Sequence, residues 1–139
     1  MDVEHYRRGI ALFNRAKFFE AHEVLEDIWR AAPAEDKKFL QGVVQVAVAF
    51  HHYSSGNFVG MRSVMERAVR NLTGHPQRLE WIELAPLLSS LQRWREAMDN
   101  RQPHPPLPRI KLATGFLTGF KSHNRKDGAD AAEESSKSF

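Results

Sequence analysis

The sequence predicts an all-α protein: a compact bundle of about five helices built on two packed helical hairpins. Three observations carry that prediction. Apolar residues recur with a period of 3.6 from the start of the chain to about residue 100. The periodic segments are separated by residues that end helices: Pro33, the "SSGN" turn at 54–57, and Gly74 with Pro76. The first half also repeats itself. An offset of 40 aligns Gly9 with Ala49, Phe13 with Tyr53, Lys17 with Asn57, Phe18 with Phe58 and Leu25 with Met65.

The first helix is expected over 3–15, on Tyr6, Ile10, Leu12 and Phe13, and is broken at "RAKF". The second runs from 18 to 31, where Pro33 disfavours helical geometry in the residue before it. The third, 34–54, is apolar nearly all round, as a central helix should be. Asn57 suits the N-cap of a fourth helix over 58–73, on Phe58, Met61, Met65, Ala68, Val69 and Leu72. A shorter periodic segment, "QRLEWIEL", leads to Pro86, which fits the first turn of a fifth helix carrying Leu87, Leu88, Leu91, Trp94 and Met98.

"RQPHPPLPRI" cannot be helical and predicts an extended Pro-rich strap over the helices. From Lys121 the composition is that of a flexible tail, so the expected organisation is one helical domain over 1–120 and a tail over 121–139. Gly9, Leu12, Ala21, Leu25, Ile28 and Pro33 fall at the spacing of a tetratricopeptide repeat. The second copy fits less well, with Met61 where a small residue belongs. The period of 40 therefore reads as two packed hairpins rather than a tetratricopeptide array.

With 139 residues and 42% hydrophobic composition, one domain with a real core is expected. No apolar run reaches membrane-spanning length, and "MDVEHYRRGI" lacks the layout of a secretory signal; the expectation is a cytoplasmic protein without a membrane partner. There is no cysteine, so any metal would need His, Asp or Glu. The net charge of +3 is uneven. Residues 17–36 are acid-rich, whereas residues 100–126 hold Arg101, Arg109, Lys111, Lys121, Arg125 and Lys126 and no acid. That basic segment is the only hint of nucleic acid, and it lacks interleaved aromatics. A homo-oligomer is compatible with everything in the chain.

The polar residues of helices two and three carry the functional reading. On a helical wheel Glu20, Glu23, Asp27 and Arg30 oppose the apolar side, and His22 falls on the seam with Glu26 one turn on. Gln41, Gln45 and His52 share one narrow stripe of helix three, beside Val48. A buried polar group without a partner costs roughly 1–3 kcal/mol, so three on one line imply a shared partner surface. The expectation is that His22 and Glu26 face Gln41, Gln45 and His52 across the bundle, with Trp29 walling one end. His22, Glu26 and His52 are also the candidate metal ligands, but "HEVLE" is not the zinc signature HExxH, and the ExxH pairs of di-iron bundles are missing.

"FFEAHEVLEDIW", then "FLQGVVQVAVAFHH" and "GN", resembles domain-of-unknown-function family 309 over roughly residues 5–75. The matching positions are Phe19, Glu20, Ala21, His22, Glu23, Glu26, Trp29, Gln41, Gly42, His52, Gly56 and Asn57, with His51 as a variable neighbour. The resemblance implies a compact all-α bundle and no activity, and it leaves Glu20, Glu23 and Asn57 as motif residues without a role. The residues point first to a non-enzymatic module that binds a small polar ligand or a peptide in a polar pocket between helices two and three. The alternatives are a metal-dependent hydrolase using His and Glu ligands, and a purely structural buried network. Enzyme or not is left open, and no cofactor is implied.

Overall fold

The computed structural model describes residues 1–74 and 81–113. It is all-α, with five helices among the described residues: α1 Val3–Asn14, α2 Phe18–Ala31, α3 Ala34–Ser54, α4 Phe58–Thr73 and α5 Leu84–Asp99. Residues 121–139, part of the basic segment and the start of "QRLEWIEL" lie outside the described residues. None of the described helices is long and apolar enough to cross a membrane.

Each boundary has a local cause. Asp2 caps α1 by accepting from the His5 backbone N–H at 3.1 Å. At its other end Lys17 N donates to Leu12 O (2.9 Å) and Ala16 N to Phe13 O (2.9 Å), with Ala16 at φ 63°. This is a Schellman end, which satisfies carbonyls that the helix leaves open. The end of α3 repeats it forty residues later: Asn57 N to His52 O (2.8 Å), Gly56 N to Tyr53 O (3.0 Å), and Gly56 at φ 79°. Asn57 then caps α4, its Oδ1 accepting from Gly60 N at 2.9 Å, as expected. Helix α5 begins at Leu84, so Pro86 sits in the first turn, where its missing N–H costs nothing.

The two hairpins, α1–α2 and α3–α4, pack through α2 and α3. Small residues set the close approaches: a Cβ on Gly9 would lie 2.7 Å from Leu25 Cδ2, and one on Gly42 2.8 Å from Leu72 Cγ. The inner face of α3 carries Phe39, Val43, Val46 and Phe50, all buried. Phe50 meets Trp94 of α5 edge-on at 5.0 Å, and Trp81 packs with Tyr6 (5.6 Å) and Phe39 (6.3 Å). Burial pushes the Tyr6 phenol well above its ordinary pKa. Arg62 ties α4 to Asp99 of α5 and, by that hydrogen bond, holds the carboxyl below the usual carboxylate range.

Helix five does not extend back to residue 81. Ile82 instead pairs with Leu112 in an antiparallel bridge, flanked by Glu83 N to Lys111 O at 2.8 Å. Residues 102–111 carry no regular secondary structure. They are held at two places. Trp94 Nε1 donates to Pro106 O (3.0 Å) under a stacked His104 ring, and the Asn14 amide both donates to Ile110 O and accepts from Ile110 N, each at 2.8 Å.

Candidate functional site: the open face of the third helix

Helix α3 lies between α2 and α4, which have at most marginal contact with each other. One face of α3 is therefore left uncovered between them. Gln41, Val44, Gln45, Val48, His51 and His52 occupy it, and all are half-buried rather than buried. This corrects the expectation of a stripe facing inward across the bundle. Phe39, Val43, Val46 and Phe50 fill the core on the inner side of α3, and the polar stripe looks outward.

The rims follow from registered contacts. The Phe19 ring of α2 meets the His51 ring at 5.4 Å and that of His22 at 5.8 Å. Nearly three turns further along α2, Lys37 of α3 places its Nζ 4.8 Å above the Trp29 ring and donates to Trp29 O (2.6 Å) and Arg30 O (2.9 Å). His22 and Glu26 lie between these two contacts, so they line the α2 rim. On the α4 rim Asn71 Nδ2 donates to Gln45 Oε1 at 2.8 Å. At the turn end, Asn57 Nδ2 donates to His52 Nδ1 (3.4 Å), which leaves the proton of a neutral imidazole on Nε2.

The acidic stretch of α2 is largely paired. His22 Nε2 lies 3.3 Å from Glu26 Oε1, Arg30 reaches Glu26 (3.4 Å) and Asp27 (3.1 Å), and His5 of α1 meets Asp27 at 3.4 Å. Glu20 and Glu23 are exposed. Asn57 acquires a structural role as the α4 cap, and Trp29 is held by Lys37. Trp29 Nε1 is buried and meets no acceptor among the described residues.

The predicted residues thus share one surface without forming one network. Among the described residues no hydrogen bond, ion pair or ring contact joins His22, Glu26 or Trp29 to Gln41, Gln45 or His52. No three His, Asp or Glu side chains among them are placed to hold a metal, so His22, Glu26 and His52 do not assemble a three-ligand centre: His52 is drawn to the turn by Asn57. By sequence Phe19 is only a motif position and His51 the variable neighbour of His52, yet these two join the α2 rim to the floor. Asn71 was missed because its partner lies on another helix.

A small all-α protein of two packed hairpins, with a polar face open between the second and fourth helices, is what the geometry defines. Residues 6–64 match the model of the family described as Domain of unknown function (DUF309). That span takes in the floor and the α2 rim but stops within α4. An uncharacterized protein of Aquifex aeolicus (strain VF5) is 28% identical over 92 residues, covering 66% of this chain and 28% of that protein. The uncharacterized protein YpuF of Bacillus subtilis (strain 168) is 33% identical over 64 residues, 45% of this chain and 37% of that one. The chain thus spans well under half the length of these relatives. No solved structure matches it.

Proposed function

We propose that the protein is a non-enzymatic binding module whose ligand, a small polar molecule or a peptide, lies along the open face of α3 between the α2 and α4 rims. The observation that supports this reading best is Gln41. It sits half-exposed at the Lys37 end of the face, on a largely apolar helix, and its side-chain amide has no hydrogen-bond partner among the described residues. An amide in that setting offers two donors and an acceptor to whatever covers it. Val44 and Val48 beside it supply apolar surface, and His22 and His51 bracket the exposed Phe19 ring at one end. Few polar groups over an apolar base is the usual make-up of a ligand site.

The test is a binding screen of polar metabolites and short peptides read by NMR on isotopically labelled protein. Ligands are expected to shift the side-chain amide signals of Gln41 and Gln45 together with the His22 ring, and Gln41→Ala is expected to abolish that response while the remaining spectrum stays folded. Ligands that shift only other surfaces, or a screen in which nothing binds, would refute the reading.

A further inference from the structure

We propose that the occupant of this face is an extended polypeptide segment carrying acidic side chains; the proposal rests on the binding reading above and names its ligand. The first argument is the amide pair on the α4 rim. Gln45 and Asn71 use one acceptor and one donor on each other, which leaves an N–H on Gln45 and an oxygen on Asn71 without partners among the described residues. One donor and one acceptor side by side is the complement of a peptide group. The molecule already uses this chemistry once, where the Asn14 amide both donates to and accepts from the Ile110 backbone.

Charge supplies the second argument. Lys38 lies on the α4 side of α3, one turn before Gly42, and Arg67 lies one turn before Asn71 on α4. Both are exposed, and neither joins an ion pair among the described residues; Arg67 donates only to Ser63 Oγ at 3.3 Å. On the opposite rim Glu26 is engaged by His22 and Arg30, and beyond it Asp27 by Arg30 and His5, while Glu20 and Glu23 are exposed on the outer side of α2. The open face therefore presents uncommitted positive charge along one edge, which favours acidic partners. Size agrees: Gln41 to His52 spans about 16 Å of helix, or roughly five residues of extended chain. Val44, Val48 and Val64 are partly buried and form an apolar base for alternate side chains.

The experiment titrates the full chain with synthetic peptides of about eight residues, long enough to overrun the face. One set alternates Asp or Glu with Val or Leu, a second replaces the acids with Lys, and a third with Ser. The acidic set is expected to bind, to shift the side-chain amides of Gln45 and Asn71, and to weaken about tenfold or more in Arg67→Glu or Lys38→Glu. Both variants change exposed side chains, so folding is retained. Equal binding of the Lys or Ser peptides, or acidic binding unaffected by both charge reversals and by Gln45→Leu, would overturn the proposal. So would poly(U) RNA binding more tightly than the acidic peptides with the same Arg67 dependence, because the ligand would then be a phosphate polyanion. A small molecule that shifts these signals when no peptide does leaves the binding reading standing and removes this one. If neither shifts them, both fall.

Discussion

Replacing His22 with alanine is expected to leave stability nearly unchanged, and the magnitude follows from where the side chain sits. His22 is 26% exposed and its partner Glu26 33% exposed, and the two are one helical turn apart. A pair of that kind contributes about 0.2–0.5 kcal/mol, and only while the imidazole is protonated. Glu26 keeps Arg30 at 3.4 Å in its absence, so no carboxylate is stranded. The contact with Phe19 is lost, but that ring is itself 48% exposed. Against these losses, alanine gains roughly half a kcal/mol of helix propensity over histidine. The sum lies within about 1 kcal/mol of zero. Urea unfolding of both proteins, with midpoint and slope fitted separately, measures it. A buried hydrogen-bonded network would instead lose up to about 3 kcal/mol. A loss above about 2 kcal/mol at unchanged slope would therefore refute the open-face placement of His22, and with it the reason for reading the residue as part of a site.

Four further outcomes test the frame that holds the face. Ala16→Gly should stabilise by about 0.5–1 kcal/mol, because Ala16 is exposed at φ 63° where a Cβ is penalised, and Gly56→Ala should destabilise by about 1 kcal/mol; denaturant midpoints check both. Gly42→Ala should cost about 1–3 kcal/mol despite better helix propensity, since its Cβ would sit 2.8 Å from buried Leu72; thermal unfolding reads the loss. Asp99 has a depressed folded-state pKa, so its pairing with Arg62 contributes fully above the ordinary carboxylate value and is lost as pH falls through the folded value. Asp99→Asn should therefore flatten part of the acid limb of a midpoint-against-pH curve.

Helix boundaries were legible because the residues that end helices act locally. Pro33 and the Gly56–Asn57 pair do their work within one turn, and the forty-residue repeat reappears as two Schellman ends of the same geometry. The stripe of Gln41, Gln45 and His52 was legible as a stripe, since a wheel needs only residue spacing. Whether it faced inward was not, because that depends on α2 and α4 failing to meet over α3, a relation between helices distant in sequence. The same limit explains why the Gln45–Asn71 pair, 26 residues apart, and the Ile82–Leu112 bridge had no signal.

The repeat also argues that the face is a property of α3 and not of the hairpin. At an offset of 40 the position of Gln41 falls on Met1, ahead of α1, and those of Gln45, Val48 and His52 fall on His5, Arg8 and Leu12 of α1. There the polar group is closed off, His5 by Asp27, and Arg8 is a solvated charge. The comparison yields a last prediction. Val48→Arg writes the α1 residue into the α3 floor. Arginine at the equivalent position of α1 is exposed and compatible with the hairpin, and from a half-buried site its long stem can cover apolar surface while the guanidinium reaches water. The cost in stability should be about 1 kcal/mol or less. Binding of any ligand along the face should be lost, because the new side chain crosses the floor between Gln41 and His52. Circular dichroism on denaturation and the peptide titration read the two effects separately. Unfolding of the variant would show that Val48 belongs to the core. Unimpaired binding would show that the ligand lies elsewhere.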